Sequence, residues 1–320
     1  MRGIILAGGS ATRLRPLTLV SSKQLLPVYD KPMIYYPLSL LIELGLREIL
    51  VIAAPEHRDS YERLLGDGSR FGIRLEYAVQ DFPRGLAHAL LLARTFVGDG
   101  SMCLALGDNL FHGPKLQSRL RDALLRHRGC TLFSRKVANP EQYGVATVDA
   151  LGRITSLVEK PERPRSSLAV TGLYLYDNDA LDKAAGLTPS HRGELEITDL
   201  NRSYVQEGRA TLVELGDDTT WFDTGTPDSL LDAAQYIRMQ QQLQAAPVGS
   251  PAESALRAGL IDREPPEGPA PQSPGTPTPQ PPERPAPPPH SVAAPARPAG
   301  SSGRTGPAGH RRSLLTEPQP

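Results

Sequence analysis

Residues 3–26 constrain everything else the chain can do. An apolar run, Ile4 to Ala7, has the length of a strand buried on both faces. It empties into Gly8-Gly9, where side chains vanish and backbone N–H groups can approach a ligand closely. Ser10, Ala11 and Thr12 complete a loop of small residues, and Arg13, Arg15 and Lys23 follow. Backbone donors succeeded by spaced cations suit a polyphosphate, which takes many hydrogen bonds and needs its charge neutralised. Neither Gly-x-x-x-x-Gly-Lys-Ser/Thr nor Gly-x-Gly-x-x-Gly occurs here, so the loop is not that of a P-loop NTPase or a dinucleotide-binding fold.

Downstream, strand and helix patterns alternate. Glu48 to Ala53 reads as a second buried strand, His57 to Leu65 as a helix ended by Gly66, and Arg74 to Val79 as a strand reaching Gln80. Asp30 is expected to cap a helix running to Gly45, with Pro37 kinking it or opening its second half. Gly85 to Phe96 is apolar nearly all round and predicts a buried helix. This order implies an α/β fold: a doubly wound, mostly parallel, Rossmann-like sheet. Ligands of such sheets sit outside the carboxyl ends of the strands, where Gly8, Gln80 and Asp108 fall.

From Tyr143 the pattern changes to short strands, Val145–Asp149, Ile154–Glu159 and Ala169–Tyr176, read as a small β-rich sugar-binding lobe on the same sheet. A helix to about Gly208, a strand at Thr211–Leu215 and a second helix opened by Thr226-Pro227 follow. Composition divides the chain into a body of residues 1–245, a residual helical segment at 246–262 and a tail at 263–320. That tail holds more than half of the 32 prolines and no Phe, Tyr or Trp, so disorder is expected there.

Lys+Arg and Asp+Glu are equal at 35 each, which gives no electrostatic case for nucleic acid or a membrane surface. No apolar stretch is long enough to span a bilayer or serve as a signal-peptide core, and Cys103 and Cys130 lie inside apolar runs as expected of buried thiols. The expected location is the cytoplasm.

The stretch Leu6-Ala-Gly-Gly-Ser-Ala-Thr-Arg-Leu-Arg-Pro-Leu-Thr18, with Ser22-Lys-Gln-Leu-Leu-Pro27 and Asp30-Lys-Pro-Met-Ile-Tyr-Tyr-Pro-Leu38, resembles the sugar-phosphate nucleotidylyltransferases, and in particular their thymidylyl branch. The likeness runs from residue 1 to about Asp262. It implies a homo-oligomeric enzyme, a tetramer in the family, that joins dTTP to glucose 1-phosphate with Mg²⁺, giving dTDP-glucose and pyrophosphate for deoxysugar synthesis.

On that resemblance Asp108 and Asp223 hold the metal, although an aspartate after a strand is otherwise a cap or turn residue. Two carboxylates and substrate phosphates together make a usual Mg²⁺ site. Arg13 and Lys23 are assigned to the nucleotide phosphates and Lys160 to the sugar phosphate. These five form the catalytic set. The nucleotide site comprises Gly8, Gly9, Ser10, Ala11, Thr12, Arg13, Lys23, Gln24, Gln80, Gly85 and Asp108, in which a glutamine amide can pair in two directions with a pyrimidine edge. Gly144, Glu159, Lys160 and Val170 are assigned to the sugar.

Lysine is scarce, and Lys31, Lys115, Lys136 and Lys183 are expected on solvated surface. Two departures from the family stand out near the site: Ala11 where glycine is usual, and His88 where glutamine is usual, read as a helix-packing change. If position 11 needs positive φ, alanine costs about 1–2 kcal/mol and glycine is expected to raise activity. A Pro-rich stretch also follows residue 262 in place of the family's last helices, which serve subunit contacts and a feedback-inhibitor site. The other readings are a uridylyl- or other nucleotidylyltransferase, or a catalytically impaired nucleotide-binding protein whose tail recruits partners through polyproline II segments such as Pro285–Pro289.

Overall fold

A computed structural model describes residues 1–9, 11–82, 84–191 and 193–263. They fall within one unit, Met1–Pro274. Ser10 and residues 264–320 of the expected disordered tail lie outside the described residues.

In chain order the elements are β1 (Arg2–Ala7), β2 (Pro27–Val28), β3 (Lys31–Pro32), α1 (Tyr35–Glu43), β4 (Glu48–Ala53), α2 (Arg58–Leu65), β5 (Arg74–Val79), α3 (Leu86–Leu92), α4 (Arg94–Val97) and β6 (Met102–Leu106). There follow β7 (Leu110–His112), α5 (Leu116–Arg126), β8 (Cys130–Lys136), β9 (Gly144–Val148), β10 (Ile154–Glu159) and β11 (Leu168–Tyr176). The last are α6 (Asp179–Ala185), α7 (Ile197–Gln206), β12 (Ala210–Glu214), β13 (Thr220–Phe222), α8 (Pro227–Gln244) and α9 (Pro251–Arg257).

Nine strands form one mixed sheet. Its backbone order is β10-β9-β11-β6-β1-β4-β5, with β8 on β11 and β12 on β8. The half made of β6, β1, β4 and β5 is parallel, and β11 joins it antiparallel to β6. Side chains alternate across the pleat and both faces are covered. Ile5, Ala7, Ile49, Val51, Cys103 and Ala105 face a core under α1, α2, α5 and α9, while Ile4, Leu6, Leu50, Ile52, Met102 and Leu104 face another under α3, α6 and α7. This two-sided burial is why the strands read as continuous apolar runs. A third small core sets Ala233 and Ile237 of α8 on Val28, Met33, Tyr36 and Leu110.

Three expectations need correcting. Asp30 caps no helix: it sits in the β2–β3 turn, bonded to Lys31 and Gln241, and α1 begins only at Tyr35. Pro37 therefore falls in the first turn, where its missing N–H would have had no partner. The apolar stretch after Gly85 breaks into α3 and α4 at Ala93, so only part of it is one helix. Lys31 and Lys183 are not solvated. Their side chains are 11% and 18% exposed, Lys31 bonded to Asp30 and Gln241, and Lys183 to Glu207 over the Tyr204 ring.

The α8 capping matches its sequence signal, Thr226 accepting from the Ser229 N–H and Ser229 from the Thr226 N–H. Residues 246–262 pack on α1, with Ser254 Oγ donating to Glu43 Oε1 at 2.7 Å.

Candidate active site

The carboxyl ends of β1, β5 and β6 bring Gly8, Gln80 and Asp108 to one edge of the sheet. Lys23 reaches this edge from a helical turn at Lys23–Leu25, and is only 6% exposed. Its Nζ donates to Asp108 Oδ2 at 2.6 Å and lies 3.9 Å from Asp223 Oδ1. Two carboxylates that are distant in sequence therefore converge on one cationic point. A buried ammonium needs such partners.

Arg13 joins them: a Cβ built on Gly225 would lie 2.8 Å from Asp223 Oδ1 and 2.9 Å from Arg13 Nη2, so both side chains close over this glycine. Burial, then the nearby Asp108 charge, push the Asp223 carboxyl above the usual carboxylate range, against the pull of Lys23, Arg13 and Lys160. The donor set, two hard carboxylates open to a cleft, fits a divalent cation that completes its shell with phosphate oxygens. Among the described residues no group of three or more His, Cys, Asp or Glu side chains offers an all-protein metal cage.

Around this centre lies a cavity of about 180 Å³ lined by Arg13, Asp108, Gly144, Glu159, Lys160, Val170 and Asp223 among others. All four residues expected at the sugar thus share one cleft with the acids. Thr198 Oγ1 donates to Glu159 Oε2 at 2.6 Å, leaving Oε1 3.7 Å from Lys160 Nζ. The Lys160 side chain is half exposed and stands on a residue with φ 41°.

Gly9 has φ 104° and Ala11 φ 40°, so the loop turns through left-handed backbone at a non-glycine residue. Gln24 is 3% exposed, with Nε2 3.3 Å from the Gly8 carbonyl and Oε1 accepting from Ser22 at 2.7 Å. It holds the loop from behind. Gln80 lies across from Gly8, and its Nε2 is shared between the Gly85 carbonyl and His88. Gly85 has φ 94°, and a side chain there would strike the Leu195 carbonyl.

The sequence reading passed over Asn109. It is 3% exposed, donates to Asp108 Oδ1 at 3.0 Å, and accepts from the Gly172 N–H at 3.0 Å and the Trp221 indole at 2.7 Å. One amide thereby ties β11 and β13 to Asp108. Thr198 and Trp221, whose ring lies 5.0 Å from that of Tyr143, were likewise missed. The one local signal is that Trp221 stands two residues before Asp223.

A parallel strand emptying into a glycine loop, with cations set against paired acids, defines a nucleotide-transferring enzyme. The nucleotidyl transferase family model matches residues 2–240, and the chain belongs to that family. Its curated relatives include the glucose-1-phosphate thymidylyltransferase of Xanthomonas campestris, 54% identical over 82% of this chain and 89% of its own length. That of Neisseria gonorrhoeae is 50% identical over 82% and 92%. A crystal structure from Bacillus anthracis, assigned as a glucose-1-phosphate thymidylyltransferase, superposes with TM-score 0.70 at 40% identity, covering 74% of this chain and 95% of that one. A UDP-glucose pyrophosphorylase matches at TM-score 0.66 and 23% identity, covering 75% and 98%, which shows the shared fold.

Proposed function

We propose that this chain transfers the thymidylyl group of dTTP to α-D-glucose 1-phosphate, giving dTDP-glucose and pyrophosphate. The observation that carries this reading is the buried Lys23 set between Asp108 and Asp223 at the mouth of the glycine loop, in a chain about half identical to glucose-1-phosphate thymidylyltransferases.

In this reading the sugar phosphate is already an oxyanion, so its attack on the α-phosphorus of dTTP needs no general base. The bond from that phosphorus to the β-phosphate oxygen breaks as the new one forms. What remains for the protein is positioning and charge neutralisation. Lys160 orients the attacking phosphate, Arg13 steadies the leaving pyrophosphate, and Lys23 neutralises the nucleotide phosphates. Gly8, Gly9, Ser10, Ala11 and Thr12 offer backbone donors, with Gln24 behind them. Gln80 and Gly85 face the base, and Glu159 accepts from sugar hydroxyls beside Gly144 and Val170.

Asp108 and Asp223 hold the divalent ion, for which Mg²⁺ is our assignment; when bound it supplies further charge neutralisation to the phosphates. Among the described residues no helix is long and apolar enough to cross a membrane. A cytoplasmic homo-oligomer, and the division into a catalytic body (1–245), a helical segment (246–262) and a tail, belong to the same proposal.

Pyrophosphate release with glucose 1-phosphate and Mg²⁺, compared across dTTP, UTP, ATP, CTP and GTP, tests the reading. Strong preference for dTTP is expected. Folded protein that turns over none of the five refutes it.

A further inference from the structure

Gln80 follows β5, and His88 is the third residue of α3, across the turn that carries Gly85. Gln80 Nε2 lies 3.4 Å from the Gly85 carbonyl and 3.0 Å from His88 Nδ1. A carbonyl oxygen only accepts, so the amide atom facing it is the NH₂ group. Its two N–H bonds are then committed, one to Gly85 and one to His88. It follows that His88 Nδ1 carries a lone pair and that the ring proton sits on Nε2. Burial, and after it the Arg84 guanidinium, hold the imidazole pKa below its ordinary value, which favours this neutral ring. His88 is therefore more than a packing change.

The amide oxygen is left facing the glycine loop, since a Cβ built on Gly8 would lie 3.6 Å from Oε1. An oxygen presented alone accepts from the N3–H of thymine or uracil. Cytosine offers a lone pair at N3 and meets repulsion there. A glutamine free to turn would serve either base.

We propose that His88 is a positioning residue for base choice: by accepting from Gln80 Nε2 it locks the amide with its oxygen toward the bound base, so that the pocket takes pyrimidines carrying an N3–H and rejects cytosine. The proposal rests on the thymidylyl reading above, which sets the base against Gln80.

The test compares kcat/KM for dTTP, UTP and dCTP in the wild type and in His88→Gln, His88→Leu and His88→Lys, with the melting temperature of each. Leucine offers no acceptor and lysine only donors. Both should lower the dTTP-to-dCTP ratio about tenfold, the equivalent of ~1.4 kcal/mol. Glutamine keeps an acceptor oxygen and should retain the ratio. The dTTP-to-UTP ratio should stay constant throughout, because both bases carry N3–H. An unchanged dTTP-to-dCTP ratio in folded Leu and Lys variants overturns the proposal, and so does a Gln variant that falls with them. If those variants do not fold, nitrogen NMR of the wild type decides: a proton on His88 Nε2 is expected, and one on Nδ1 overturns it. A wild type that accepts glucose 1-phosphate but does not favour dTTP over dCTP refutes the thymidylyl reading itself, and this proposal with it.

Discussion

Ala11 stands at φ 40° and ψ 43°, a left-handed conformation in which its Cβ crowds the following carbonyl. The loop holds it there, for its own carbonyl accepts from Thr18 Oγ1 at 2.9 Å and from the Leu14 N–H at 3.0 Å. The conformation costs an L-residue about 1–2 kcal/mol. Glycine removes that cost but loses about 0.4–1 kcal/mol more backbone entropy on folding. Ala11→Gly should therefore stabilise by roughly 0.5–1 kcal/mol. For a domain of this size that is a rise in melting temperature of about 1–4 °C. Turnover with dTTP should rise with it, by no more than about fivefold.

Ala245 gives the control, since it ends α8 at φ 51° and ψ 32°, away from the glycine loop in sequence and in role. Ala245→Gly should raise the melting temperature similarly and leave the dTTP constants alone. Scanning calorimetry on both variants checks the reasoning. A rise with Ala245→Gly and none with Ala11→Gly would refute the claim that the loop stores strain at Ala11.

Further expectations concern the acids, the sugar side and the thiols. Asp223→Asn should reduce turnover by orders of magnitude, measured by pyrophosphate release, without loss of thermal stability. The sign follows from the raised Asp223 pKa: the folded state binds the proton more tightly, so a stability contribution present below the unfolded carboxylate value is lost as pH rises through the folded one. The variant should thus gain on the wild type at neutral pH and lose that gain in acid, while wild-type activity falls on acidification through the same raised value. Lys160→Met should lower kcat/KM for glucose 1-phosphate by about 10–100-fold, the range of a lost charge-assisted hydrogen bond, with little change in the KM for dTTP. Cys103 and Cys130 are fully buried; burial pushes the Cys103 thiol up to about 12 and Cys130 well above its usual value. A thiol reagent should label neither in native protein and both in denaturant.

Local chemistry made much of this legible in the residue order. Ile4–Ala7, Glu48–Ala53 and Met102–Leu106 could be read as strands because burial on both faces leaves an unbroken apolar run. Thr226-Pro227 marked a helix start because a cap acts within a few residues. Gly8, Gln80 and Asp108 could be set at one edge because parallel strands end on the same side. The roles expected of Lys23, Asp223 and Lys160 came from the family resemblance, because spacing alone does not define them.

Tertiary structure decided what depends on contact between distant residues. Pro37 became a first-turn residue because the β2–β3 hairpin delays α1. Lys31 left the solvent because Gln241, 210 positions away, closes over it. Asn109 gained its contacts only when β11 folded onto β6 and β13 onto β7, and His88 only when α3 turned back on β5. A sequence states what each side chain can donate or accept. Which group it meets is set by the path of the backbone between them.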